Sequence, residues 1–552
     1  MKLWRKHWNM WLAATTLLAA TAVYAPKAEA CGCVSFFNDD DQFASYAMTA
    51  AASLDSKGIM QGDTQRNFHP TATLTREEMA VVLAKMMKLP TPATSATGWS
   101  APYIQAVTAA GLMVGDETGN FHPEQPLTRQ ELAATLVRAI KLDTTGQGKN
   151  GTVTDRDAIS PWARDAVQAA LQLGLMHGDT ETAFNPLGLA ERQQAAVVIN
   201  NALLYQGVRE NLNQRLQAIQ EHDQAKFLAT FDPDQTLATT RVEQTHWFQD
   251  LTAGSIRDYR VEIVHLEVSP PMHIDVTLNQ TYTLDGKPHD LTYHEAYKFY
   301  GEGIFDAGEN FYSLPSEHFV VHFAKEDEAT ARKVRDEAEA AYADLQTRYP
   351  HDTPPGHQLD IKLYRDPEQL RQSVKLSFAW QFAGWYEYGE SIKLSSKPGA
   401  TGEYRSKIQH EMVHELTIGL SNNNLPYWLA EGLATYYAAP EGSEVTVFPM
   451  EYNSIAKLET INLEALTDNL EISNYYNTAG NIVTFFAKTY GEEKVRELVK
   501  ALGEYPYQEG TVGVHDAENA KRLHETLPRV FGKTSEQLNA EWQTWIKAQR
   551  SK

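Results

Sequence analysis

The chain has 552 residues, 42% of them hydrophobic, and a formal net charge of −22. That length exceeds what one hydrophobic core organises, so several domains are expected. So acidic a chain repels phosphate backbones, which excludes nucleic acid as a general partner, and its two cysteines, Cys31 and Cys33, exclude a disulfide framework and a cysteine-rich zinc site.

Residues 1–30 read as a signal peptide. Lys2, Arg5 and Lys6 make a basic start, residues 10–23 are apolar, and Ala28-Glu29-Ala30 is a small-x-small cleavage site. Cleavage there starts the mature chain at Cys31 and leaves it more acidic still. The alternatives are an uncleaved anchor, which the short apolar core followed by Pro26 disfavours, and a lipid on Cys31, which Ala28 and Glu29 fit poorly. No later apolar run is long enough to span a membrane, so a secreted chain without a transmembrane segment is expected.

A repeat follows. Gly58-Ile59-Met60-Gln61-Gly62-Asp63, Phe68-His69-Pro70 and Leu74-Thr75-Arg76-Glu77-Glu78 recur as Gly111 to Asp116, Phe121-His122-Pro123 and Leu127 to Glu131. A third copy runs Gly174 to Asp179, Phe184-Asn185-Pro186 and Ala190-Glu191-Arg192-Gln193-Gln194. Each copy predicts a helix ending at Gly, a turn-rich loop, and a second helix. Thr75 with Glu78, and Thr128 with Glu131, form capping boxes; the third copy has Glu191 and Gln194 there. One helical hairpin cannot bury its apolar face, but three together can.

These motifs resemble the S-layer homology (SLH) domain in three copies over residues 40–205 (about 40–90, 95–142 and 155–205). The resemblance implies one all-α unit with pseudo-threefold symmetry that holds an anionic secondary cell-wall polysaccharide. It makes Arg76, Arg129 and Arg192 candidate polymer contacts, since a guanidinium grips carboxylate or phosphate with two bonds. The alternative for each is a local ion pair with Glu. The first copy departs in having Tyr46 where the others have Trp99 and Trp162, and the third lacks the Thr and Glu around its Arg.

Residues 206–315 predict a helix over 208–231 and strand-like segments at 259–268, 273–282 and 292–300. A helix followed by an antiparallel sheet resembles the small cone-shaped α+β fold of nuclear transport factor 2. No catalytic group stands out, so a spacer or docking domain is expected.

Residues 316–550 predict strands at 317–324, 359–364 and 391–395, with a charged helix ending near Arg348. Then comes His410-Glu411-Met412-Val413-His414, and beyond it Trp428-Leu429-Ala430-Glu431-Gly432. His-Glu-x-x-His on a helix sets two imidazoles one turn apart on one face, where they can share an ion. The loop before Pro426 and a second helix can return Glu431 as a third ligand. Glu411, beside the first ligand, can accept a proton from water made more acidic by the ion.

Together these residues resemble the gluzincin metalloproteases of the peptidase MA-like branch, which implies an α+β zincin-type domain. By that resemblance His410, His414 and Glu431 are ligands of one catalytic Zn2+ and Glu411 is the base. Tyr476, before a helix expected over 481–490, would donate to the oxyanion. Tyr475 beside it is equally eligible, as is a packing role for either. Gly384-Trp385-Tyr386 leading to Ile392-Lys393-Leu394 would form either an edge strand that binds substrate by strand addition or an ordinary core strand. No motif for holding a free amino end is recognisable.

The whole reads as a secreted zinc peptidase in the wall or S-layer of a Gram-positive-type bacterium, acting on a peptide or protein. The alternative is a non-catalytic surface protein with a structural metal site, for which Glu411 would have no use.

Overall fold

The computed structural model describes residues 36–550 apart from 93–97, 151–152, 235–237, 271, 302, 352–357, 379–381, 398–403, 441–453 and 512. The expected signal peptide and both cysteines lie outside the described residues.

Each repeat is a helical hairpin: α1 (Met48–Ser56) with α2 (Arg76–Met86), α3 (Ala101–Ala109) with α4 (Arg129–Ala139), and α5 (Arg164–Gln172) with α6 (Arg192–Gln220). The capping boxes form, with Thr75 N and Thr128 N donating to Glu78 and Glu131 at 2.9 and 2.8 Å. In the third copy Glu191 N donates to Gln194 Oε1 at 3.4 Å. The segments ahead of α2, α4 and α6 close a ring of backbone bonds: Leu74 N to Ala190 O, Ala190 N to Leu127 O, and Leu127 N to Leu74 O, each 2.9 Å. One core containing Phe68, Leu83, Leu136, Phe184 and Ile199 runs through all three repeats.

α6 does not end with the repeats. Its first turns bury Ala195, Ala196 and Ile199 among them, while Leu204, Val208 and Leu212 pack under the next sheet. The helix expected over 208–231 therefore starts at Arg192 and stops at Gln220, with a separate short α7 (Gln224–Leu228) after it. The domain boundary expected at 205/206 falls inside α6. After α8 (Ala238–Thr252) comes an antiparallel meander of β1 (Ile256–Ser269), β2 (His273–Leu284), β3 (Lys287–Tyr300) and β4 (Gly303–Glu309). Alternate residues Ile274, Val276 and Leu278 of β2 are buried against α6, as the two-residue strand period requires.

The last region is built on a five-stranded sheet of β5 (Tyr312–Pro315), β6 (Phe319–Phe323), β7 (Leu359–Tyr364), β8 (Gly384–Trp385) and β9 (Ile392–Ser395), in the order β5-β6-β7-β9-β8. β6, β7 and β9 are parallel, and β8 pairs antiparallel with β9 at the sheet's end. Val321, Ile361, Leu363, Ile392 and Leu394 share one core with α9 (Glu328–Arg348) and α11 (Arg405–Leu420). α10 (Pro367–Val374) links β7 to β8. Beyond α11 come α12 (Tyr427–Ala438), α13 (Ile455–Leu458), α14 (Asn469–Tyr490), α15 (Glu492–Leu502), α16 (Asp516–Phe531) and α17 (Ser535–Arg550).

Residues alternating with that core carry charge. Lys362 of β7 and Lys393 of β9 are 2% and 1% exposed, and Glu243 of α8 lies 2.7 Å from Lys362 Nζ and 3.6 Å from Lys393 Nζ. Glu309 of β4 adds a second bond to Lys362 at 2.9 Å. α8 thus buries Phe248 against α6 and α7, Leu251 against the middle sheet, and a carboxylate towards the last one.

Candidate metal centre

α11 reaches its turn at Asn422 and Asn423, whose positive φ of 53° and 56° suit Asn better than most residues. Their side-chain amides donate to the carbonyls of Gly503, Tyr505, Gln508 and Gly510, which pins the turn. Pro426 then caps α12, which packs along α11.

This brings His410 and His414 of α11 against Glu431 of α12. Glu431 Oε2 lies 3.2 Å from His410 Nε2 and 3.5 Å from His414 Nε2, and the two imidazole nitrogens are 3.2 Å apart. Four-coordinate zinc at about 2.0–2.1 Å from each ligand separates neighbouring ligand atoms by about 3.3 Å, so the triangle fits the ion. It is the one such cluster of three or more His, Cys, Asp or Glu among the described residues. Burial alone would raise the Glu431 carboxyl, but the two imidazoles outweigh it and hold it near 2.

Glu411, the residue after the first histidine, is 7% exposed and burial pushes its carboxyl up to about 7. It faces a cavity of about 30 Å³ walled by Gly384, Trp385, Tyr386, Glu387, His410, His414, Ile418, Tyr427, Glu431 and Tyr476. That volume holds about two waters.

The helix expected to begin at 481 begins at Asn469, so Tyr476 sits inside α14. Its ring lies 6.1 Å from the His410 ring and borders the cavity, while Tyr475 is fully buried in the core. β8 is an edge strand, and its outer side pairs with no strand among the described residues. Glu387, absent from the sequence reading, is a buried carboxylate in the same wall. A single Glu in a turn carries no periodicity that would single it out.

The repeat arginines lie elsewhere, in a cyclic arrangement. Arg76 donates to Phe121 O and Val114 O at 2.8 and 2.7 Å, Arg129 to Phe184 O and His177 O at 2.9 and 2.7 Å, and Arg192 to Phe68 O and Gln61 O at 2.9 and 3.2 Å. Each also stacks on the Phe whose carbonyl it binds. Each repeat therefore clamps the loop of the next, and the third returns to the first. Arg192 also pairs with Glu78 at 2.8 Å and borders a groove of about 530 Å³ shared with Trp99 and Lys85.

A family model described as the S-layer homology domain matches residues 36–80, 93–133 and 154–196. A surface-layer 125 kDa protein of Lysinibacillus sphaericus is 31% identical over 199 residues, covering 34% of this chain and 16% of that protein. An exoglucanase of Acetivibrio thermocellus is 30% identical over 177 residues, covering 30% of this chain and 16% of the enzyme. An uncharacterized cell wall amidase of Bacillus anthracis is 29% identical over 150 residues, covering 26% of this chain and 28% of that protein. The chain spans less than a third of the length of each of these relatives. Three SLH domains, which bind cell-wall polysaccharide, thus precede an α+β region, and they locate the chain at the cell wall or S-layer surface. No helix among the described residues is long and apolar enough to cross a membrane.

Proposed function

We propose that the chain is a wall-attached zinc peptidase. The observation that carries this reading is the His410, His414 and Glu431 triangle, spaced for a tetrahedral ion, with Glu411 buried in the adjoining cavity wall. Zinc held there would acidify water and polarise a carbonyl. His410 and His414 would hold the ion from one helix face, and Glu431 would add negative charge from the facing helix. Glu411 would accept the proton of the attacking water as the C–O bond forms and the carbonyl electrons move to oxygen; when the carbonyl re-forms, the peptide C–N bond breaks and Glu411 passes the proton to the leaving amine. Tyr476 donates its hydroxyl hydrogen to the carbonyl oxygen as charge builds there. The open side of β8 takes the substrate backbone as an added strand, which fixes the carbonyl's direction.

The polymer partner fits the same reading. An anionic secondary wall polysaccharide would lie in the groove whose lining includes Arg192, Lys85 and Trp99. Arg76 and Arg129 would shape the corresponding grooves by fixing the loops that line them.

The test is hydrolysis of unfolded casein by the full chain after chelation and after zinc is restored. The account requires loss and then recovery, together with one zinc per chain. Casein cleavage that survives complete removal of metal would count against it.

A further inference from the structure

The cavity beside Glu411 has room for about two waters and for no side chain. The residues that distinguish one peptide from another must therefore bind outside it, where their binding energy still helps to hold the reacting bond in place. A cleft of about 790 Å³ adjoins the cavity, lined by Gln249 and Asp250 of α8, by Lys375, and by Tyr507 and Val514 of the segment between α15 and α16. Its volume falls in the range of about 300–1,000 Å³ usual for ligand sites.

Two contacts join the cleft to the cavity. Tyr386 and Glu387 line the cavity, and the ring of the next residue, Tyr388, lies 6.2 Å from the ring of Tyr507 in the cleft. Tyr427 also lines the cavity, and a Cβ on Gly513 would lie 2.8 Å from its ring, so the segment that borders the cleft backs onto the cavity wall. The α8 side is held in place: Ser377 N donates to Asp250 at 3.0 Å, and His246 pairs with Glu390 at 2.6 Å. Two folded regions, not one surface loop, therefore shape the cleft. Its apolar groups face solvent: Tyr388, Tyr507 and Val514 are 38%, 50% and 64% exposed. Large apolar groups exposed together beside a reaction cavity mark a surface that a ligand covers.

We infer that this cleft is the outer part of the substrate site, taking a stretch of extended polypeptide whose large apolar side chain seats on Tyr507 and Val514. This rests on the peptidase reading above and gives it a substrate class: peptides of several residues with a large apolar residue set back from the scissile bond, and not dipeptides. It also gives the middle region a part in recognition, since α8 supplies some of the binding wall. A strand added along β8 is carried past Tyr388 to the cleft, because β8 leads through Tyr386 and Glu387 into that turn.

The test measures kcat/KM of the full zinc-loaded chain on a peptide cut from casein, on the same peptide shortened from each end, and on forms with single large apolar residues replaced by Ala. One apolar position, set at least about two residues from the scissile bond, should be preferred over Ala by about tenfold or more, the effect of covering one large side chain. The end of the peptide that carries it shows which side of the scissile bond enters the cleft. In the double variant Tyr507→Ala with Val514→Ala that ratio should fall towards one, with one zinc still bound per chain. Gln249→Trp, which narrows the cleft from α8, should lower the same ratio. Because the wild-type ratio stands by itself, a variant that folds poorly leaves a decisive measurement. Equal hydrolysis at every length and with Ala at every position, or a preference unchanged in either variant, would overturn the inference alone. No hydrolysis of any peptide, or of casein, would defeat the peptidase reading and this inference with it.

Discussion

Gly384 of the edge strand and Glu411 of the metal helix are fitted to each other: a Cβ on Gly384 would lie 2.9 Å from Glu411 Oε1 and 3.0 Å from the Leu394 side chain. The glycine leaves the space in which the carboxylate sits. Gly384→Ala should displace the carboxylate without removing any metal ligand. The expected result is one zinc per chain as before, with kcat lowered about 10- to 100-fold, the cost of misplacing a reacting group by a fraction of an ångström to one ångström. Full activity in the variant would mean that Glu411 is not the base.

Tyr476 offers a second, independent probe. Tyr476→Phe keeps the ring beside His410 and removes only the hydroxyl. If that hydroxyl stabilises the oxyanion, kcat should fall about 100-fold or more with KM little changed. A rise in KM alone would assign Tyr476 to substrate binding instead.

Arg129 is 6% exposed and gives hydrogen bonds to two carbonyls of the next repeat. Arg129→Ala strands both acceptors and opens a gap beside Phe184. A loss of about 2–4 kcal/mol is expected, read by calorimetry as a lower melting transition of the repeat unit in the full chain. Weakened polysaccharide binding without loss of stability would instead assign Arg129 a direct contact with the polymer.

Glu243 ties α8 to the last sheet through Lys362 and Lys393. Glu243→Ala leaves Lys362 and Lys393 buried with less compensation, which costs about 3–5 kcal/mol. Amide exchange over residues 359–364 and 392–395 should then quicken by about 100-fold or more. Acid should loosen the same joint. Burial would raise Glu243, but Lys362 and Lys393 hold it well below the usual range. Glu368, placed by α10 near His289 of β3, is held at about 2 despite burial, chiefly by Arg371 and Gln372. Folded pKa values below the unfolded ones mean stability that is complete above about pH 4.5 and falls as pH drops towards 2. A joint equally protected at pH 3 and pH 7 would contradict this.

The metal triangle was legible because helical geometry turns a four-residue interval into a shared face, and because Glu431 lies on a second helix led by Pro426. The repeat was legible for a related reason: Phe and Arg keep one interval in all three copies. Their partnership was not, since each Arg binds the Phe of the following copy and its acceptors are main-chain carbonyls, which leave no mark on sequence. α8 was missed because it buries apolar and charged residues on different sides, so no single apolar stripe marks it. The start of α14 was placed late because Asn469 to Asn481 mixes polar and aromatic residues, and packing against α12 sets that segment's conformation. Glu387 shows the general limit, since its burial in the cavity wall comes from distant segments packed around it.

The most direct test of the central claim compares the full chain with Glu411→Gln for bound zinc and for cleavage of unfolded casein. The account predicts one zinc in each, with cleavage reduced by about 100-fold or more in the variant. Zinc in both with cleavage in neither would support the alternative of a structural metal site on a wall-bound surface protein. No zinc in either would contradict the account at its foundation.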